Sequence, residues 1–176
     1  MAYEKLITPP SPEPILLADA KIHLRVDFTD DDSRITRHIT EAREWVEKRI
    51  QQNIAAATWE IALDEFPTSE IELTIEPVNT VTSIKYDDAD NVEQTLTVTT
   101  DYTYSNGIIS PVGDWPATYD KANAVRIRVV TGYSAANLIP SAVIAAIYLK
   151  IKELYDGTDA DTAIHRLLTN YYTMVA

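Results

Sequence analysis

The sequence predicts an α+β protein: a small helical bundle of a short helix, a long helix and two C-terminal helices, with an antiparallel β-rich insertion between the long helix and the buried C-terminal helix. Three observations predict it. Ile35, Ile39, Ala42, Val46 and Ile50 fall at steps of four, three, four and four, which lays one apolar stripe along a helix. Val143, Ile147, Ile151 and Leu154 repeat that relation near the C-terminus. Between the two runs the period shortens to two, and Asx and Gly residues mark turns.

The 176 residues suit one domain of ordinary size. Pattern divides it into an arm over 1–15, a helical core over 16–56 and 138–176, and the β-rich insertion over 57–133. Pro9, Pro10, Pro12 and Pro14 make the arm extended, because proline fixes φ and removes a donor. Such an arm is expected either as a disordered leader or as a segment that orders on a neighbouring subunit. Leu17 to Val26 reads as a short helix with Leu17, Ala20 and Leu24 on one side, flanked by Leu16 and Ile22. The long helix is expected over Asp30–Ile54. Asp30, Asp31, Asp32 and Ser33 stand where side-chain oxygens cap free N–H groups, and Lys48 and Arg49 suit the dipole at its end. Its polar face carries Arg37, His38, Glu41, Glu44 and Lys48, with Glu44 and Lys48 at the favourable i,i+4 order.

Thr58–Leu63 is rich in β-formers, and Glu70–Ile75 alternates with Ile71, Leu73 and Ile75 on one face. Val81–Tyr86 and Val92–Val98 flank a hairpin tip in which Asn91 or Asp90 accepts positive φ, and Asn106-Gly107 marks a second hairpin. Val125, Ile127 and Val129 point inward, with Arg126 and Arg128 outward. Pro140 is placed to start a helix that is apolar on most faces, Gly157 stops it, and Asp159–Asp161 caps a last helix with Ile164, Leu167, Leu168, Tyr171 and Tyr172.

Composition narrows the function. There is no cysteine, hence no disulfide and no thiolate chemistry. No apolar run approaches the ~20 residues that span a bilayer, and the first residues lack the apolar stretch of a signal peptide, so no membrane partner is expected. Twenty-seven acidic against fifteen basic residues give a net charge of −12, which opposes phosphate binding over most of the surface. His23, His38 and His165 are scattered without metal-ligand spacing, and each is expected at the surface or its boundary. The run Asp87-Asp88-Ala89-Asp90-Asn91 lacks the sixth-position glycine of a calcium loop. No catalytic motif, cofactor fingerprint or metal site is legible, so no enzyme and no cofactor is expected. Of ten tyrosines, Tyr148, Tyr155, Tyr171 and Tyr172 stand on the last two helices, where each is expected to edge the core and where such residues also suit subunit contacts.

Several stretches together are similar to phage head–tail connector (adaptor) proteins. Leu17 to Val26 followed by Asp30-Asp31-Asp32 resembles their opening, Ala42–Glu47 their first long helix and Thr58-Trp59-Glu60 the strand after it. Val81–Tyr86, Trp115-Pro116, Asn123–Ile127, Thr131-Gly132-Tyr133 and Pro140–Tyr155 continue the series in the same order. Asn91 stands where a glycine is expected, and Asp156-Gly157 replaces a more polar helix end. The resemblance implies a non-enzymatic virion part from a phage, prophage or gene transfer agent. Such a protein forms a ring with copies of itself beneath the portal, extends the DNA channel without binding DNA specifically, and offers a surface to the next connector or tail protein. Candidate subunit-interface residues are Arg37, Glu41, Glu44, Lys48, Arg126, Arg128, Tyr171 and Tyr172. The competing expectations are a bacterial ligand-binding or regulatory module using the β-rich insertion, and a metal-dependent hydrolase using the acidic clusters.

Overall fold

A computed structural model describes residues 3–135 and 138–171. Four helices and two antiparallel sheets make an α+β fold. Strands β1 (Tyr3–Thr8), β2 (Ala57–Leu63), β3 (Ile71–Glu72), β4 (Val78–Asp87), β5 (Glu93–Leu96), β6 (Tyr102–Ser105), β7 (Ile108–Pro111) and β8 (Val125–Thr131) are joined by helices α1 (Leu17–Leu24), α2 (Asp32–Ile50), α3 (Ser141–Asp156) and α4 (Asp161–Leu168). The chain divides into two compact units, Met1–Ser11 with Ala56–Gly132, and Pro12–Ala55 with Tyr133–Ala176.

In the β unit, β1-β2-β8-β4-β5 form a five-stranded sheet and β3-β7-β6 a three-stranded one. Strand β8 lies at the centre because both faces of its sequence are usable. Val125, Ile127 and Val129 are buried, while Arg126 and Arg128 find carboxylates on neighbouring strands. Ile61, Ile84 and these β8 residues share one core with Ile71, Leu73, Ile75, Tyr102 and Ile109. Only Ile71–Glu72 of the expected strand over Glu70–Ile75 pairs in register, yet its alternation of buried side chains holds throughout. Both hairpin turns form at the expected residues. Asn106 and Gly107 adopt φ 50° and 81°, the left-handed values a two-residue hairpin turn requires, and Asn91 adopts φ 60° within the longer 88–92 loop.

Within the proline-rich arm the chain bends at Pro12 and Pro14, and Tyr3–Thr8 is not a free leader. It pairs antiparallel with β2 as an edge strand. The strand was not legible because Glu4 and Lys5 interrupt the apolar pattern and every side chain but one is exposed.

In the helical unit, α3 packs against α1, α2 and α4. The whole α2 stripe from Ile35 to Ile50 is buried and meets Val143, Ala146, Ile147 and Ile151 of α3 and Ile164 and Leu168 of α4. Each of these isoleucines, removed from water, contributes about 1.5–3 kcal/mol. Helix ends depart from expectation by a few residues. Helix α1 stops at Leu24, where Arg25 turns left-handed at φ 59°, and α2 stops at Ile50, with Gln51 at φ 56°. Pro140 is the N-cap of α3 rather than its first residue, and Gly157 closes it at φ 75°.

The expected side-chain capping of α2 does not occur. Asp31 makes no cap bond; its carboxylate accepts from the Tyr155 hydroxyl at 2.6 Å, and Asp32 pairs with Lys21. His38, expected at the surface on the polar face of α2, is buried at 7% exposure. It sits between Arg34, 3.3 Å from Nε2, and Glu41, 2.9 Å from Nδ1. These neighbours at i−4 and i+3 satisfy both ring nitrogens, which is what allows burial.

Candidate functional site

With no catalytic or metal-binding constellation among the described residues, the exposed faces and the interactions that hold them rigid are what the fold offers a partner. Helix α2 presents Arg37, Glu41, Glu44 and Lys48 to solvent. Arg37 and Glu41 form the i,i+4 pair, at 3.4 Å. Glu44 approaches Arg43 at 3.6 Å and does not make the expected pair with Lys48. The polar stripe is thus of mixed sign along the helix.

Behind that face lies a cation that the pattern did not reveal. Arg43 is 2% exposed. Its Nε donates to Glu13 at 2.8 Å, its Nη2 to the other Glu13 oxygen at 3.3 Å, and its Nη1 to Glu47. Glu47 in turn accepts the backbone N–H groups of Ile54 at 2.7 Å and Ala55 at 3.2 Å. One guanidinium therefore ties the segment before α1 and the segment after α2 to the middle of α2. Burial alone would lower the Arg43 pKa, but Glu13 and Glu47 raise it above the ordinary value. Burial pushes the Glu47 carboxyl up, against the pull of the Ile54 N–H and of Arg43. Sequence reading missed this group because Arg43 sits beside Ala42 on the stripe; the signal was the i,i+4 spacing of Arg43 and Glu47.

Trp45 is held in the same unit. The Lys150 ammonium lies 4.3 Å from its ring centroid and the Arg49 guanidinium 5.8 Å. Lys150 is buried beside Glu153, which lets a lysine occupy the otherwise apolar α3.

On the five-stranded sheet, Arg126 and Arg128 are not simply a wet face. Arg126 donates to Asp87 at 2.7 and 3.3 Å and to Glu93 at 3.0 Å. Arg128 pairs with Glu60 at 3.0 Å, and Lys85 with Glu93 at 2.7 Å. The Arg126 guanidinium and the Lys121 ammonium hold the Asp87 carboxyl down to about 2. This lattice stiffens β2, β8, β4 and β5 across their strands. Arg126 is thus committed within its own sheet, whereas Arg128 stays half exposed.

Tyr171 ends a single 3-10 turn after α4 and is partly buried against the helical core. Tyr172 lies outside the described residues. Among the described residues, no group of three or more His, Asp or Glu could hold a metal ion, and no helix is long and apolar enough to cross a membrane.

The fold is that of known particle-neck components. The chain resembles a chain in the "Neck of empty GTA particle computed with C6 symmetry", with 18% identity, 99% of this chain and 97% of that one covered, and a TM-score of 0.80. A chain in the "Virion of native gene transfer agent (GTA) particle" gives 20% identity, 98% and 96% coverage, and 0.81. One in the "Neck of native GTA particle computed with C12 symmetry" gives 20% identity, 100% and 97% coverage, and 0.76. No curated protein matches. A sequence profile described as "Phage gp6-like head-tail connector protein" matches residues 14–110, more than half of the chain. With the helical scaffold, the β unit and the profile in agreement, the chain belongs to the phage gp6-like head-tail connector family.

Proposed function

We propose that this protein is a structural virion component of the head–tail junction that assembles as a ring beneath the portal. There it extends the DNA channel and offers the attachment surface for the next connector or tail protein. The family match over residues 14–110 carries the reading. Whole-chain similarity to neck chains of gene transfer agent particles solved with sixfold and twelvefold symmetry supports the ring.

In this arrangement the helical core over 16–56 and 138–176 is the scaffold and residues 57–133 are an insertion in it. The mixed-charge face of α2, with Arg37, Glu41, Glu44 and Lys48, is a contact between copies, Tyr171 and Tyr172 are further contact residues of the helical unit, and Arg128 is one of the β unit. Arg126, held by Asp87 and Glu93, is a second contact residue of the β unit.

Charge suggests how DNA passes. The β unit carries fourteen acidic against five basic residues, the helical unit thirteen against ten. A wall with the β unit's balance repels phosphate and lets DNA slide without sticking. A ring whose lumen is lined mainly by Lys and Arg would sink that part of the proposal. The ring itself is tested by light scattering on a sizing column, with the protein alone and with its portal. A complex with many copies per portal supports it, and free monomer beside free portal overturns it.

A further inference from the structure

The β unit carries an open groove in which aromatic rings and prolines stand beside carboxylates and hydroxyls. Phe66 and Trp115 stack with centroids 4.7 Å apart and planes within 3°, and Tyr86 meets Phe66 edge-on at 5.6 Å. Pro67 and Pro116 continue the lining, and Glu65 and Asp114 stand in it with no basic residue. The indole N–H of Trp115 donates to the Ser69 carbonyl at 2.7 Å, which fixes the ring. Stacked aromatics, prolines and an acidic edge match what recognises polyproline II segments with a nearby cation.

This chain contains such a segment. Thr8 and Ser11 precede prolines and are held out of the α region, so Pro9-Pro10-Ser11 is extended up to a bend at Pro12. In a helix of three residues per turn, Pro9 and Pro12 stand on one ridge, and both are exposed. Lys5 is exposed too. It lies opposite Glu60 in register, but Glu60 is taken by Arg128. The segment cannot swing freely on its own molecule, because β1 is paired to β2 and the Ser11 N–H donates to the Ala56 carbonyl at 2.9 Å.

We propose that the groove of Phe66, Pro67, Trp115 and Pro116 receives the Pro9–Pro12 segment of a second copy of this chain, with Lys5 of that copy near Glu65 and Asp114. The contact joins two different patches, so it repeats head to tail and suits a closed ring. It rests on the ring reading above.

The test uses the full-length protein, 15N-labelled, and a synthetic peptide of residues 5–14. Peptide addition is expected to shift the indole resonance of Trp115 in a saturable way. Replacing Pro9 and Pro12 by Ala in the peptide should weaken binding about tenfold or more, as loss of an interface anchor does. A Lys5→Glu peptide should bind more weakly still at low salt. Because these changes are in the peptide, the protein's folding is untouched. No shift at saturating peptide, or equal binding by the Pro9→Ala/Pro12→Ala peptide, overturns the proposal. A generic oligoproline that binds as tightly makes the groove a site for some other proline-rich partner and also overturns it. Portal-bound ring assembly is scored separately by light scattering. Rings without a peptide shift sink the groove alone, whereas a shift without rings leaves the groove and removes the connector reading.

Discussion

Replacing Arg43 by Met removes the one buried guanidinium that holds Glu13 and Glu47 while keeping the aliphatic volume of the side chain. Two carboxylates then face the interior, Glu47 at 13% side-chain exposure and Glu13 at 29%. Breaking a buried pair by deleting one partner costs about 3–5 kcal/mol. Glu13 can turn toward water and Glu47 keeps the N–H groups of Ile54 and Ala55, so the lower end, about 3 kcal/mol, applies here. For a chain of this size each kcal/mol lowers the melting temperature by roughly 2–4 °C, so the variant should melt roughly 6–12 °C below wild type at pH 7. The readout is calorimetric or circular-dichroism melting. The sign of its pH dependence is fixed as well. Burial already raises the Glu47 carboxyl, and loss of Arg43 raises it further, so protonation favours the folded variant and its deficit should narrow as pH falls. An Arg43→Met/Glu47→Gln double variant should recover part of the loss, since the orphaned charge is gone. A drop below roughly 2 °C for the single variant, or no recovery in the double, would show that Arg43 is solvated and does not bind the three segments together.

Asp87→Asn should cost about 1–2 kcal/mol at pH 6, measured by urea unfolding. Because the folded carboxyl lies near 2 and its ordinary value is 3.8, that difference should persist above pH 4 and fade as pH drops toward 2; a constant difference would refute the pairing with Arg126 and Lys121. Gly107→Ala should lose about 1–2 kcal/mol through backbone strain alone, since nothing lies within 4 Å of the added Cβ at φ 81°, and a neutral result would mean the turn has another shape. Ile39→Asp should abolish cooperative melting, because a charge would enter the α2–α3 core where Ile39 is 3% exposed; wild-type melting would place the α2 stripe in water.

The helical half was legible because its signal is local. Four-and-three spacing places Ile35 through Ile50 on one side whatever they pack against, and each of them is buried. Turn chemistry was equally local, since Asn91 and Asn106-Gly107 carry the positive φ themselves. What escaped depends on partners far along the chain. Edge strand β1 exists because β2 offers it an edge, and Glu4 and Lys5 hide the alternation that would betray it. His38 and Lys150 are buried because Arg34, Glu41 and Glu153 satisfy them, which no hydropathy pattern can report. The anchoring of the acidic hairpin tip was equally hidden. In the fold Lys121 donates to Asn91 and Asp88 bridges to Thr118, so the tip is fastened to the segment before β8. Of the candidate interface residues, those on α2 lie on the exposed face assigned to them. The partners of Arg126, Asp87 and Glu93, were not legible because they lie on two other strands.

The central claim is that copies of this chain close into a ring on a portal. Electron-microscopic averaging of the protein bound to its own portal addresses it most directly. Rotationally averaged rings of this chain coaxial with the portal are expected, with the acidic β unit's residues at the channel wall. Portals carrying single, asymmetrically placed copies, or none, would contradict it.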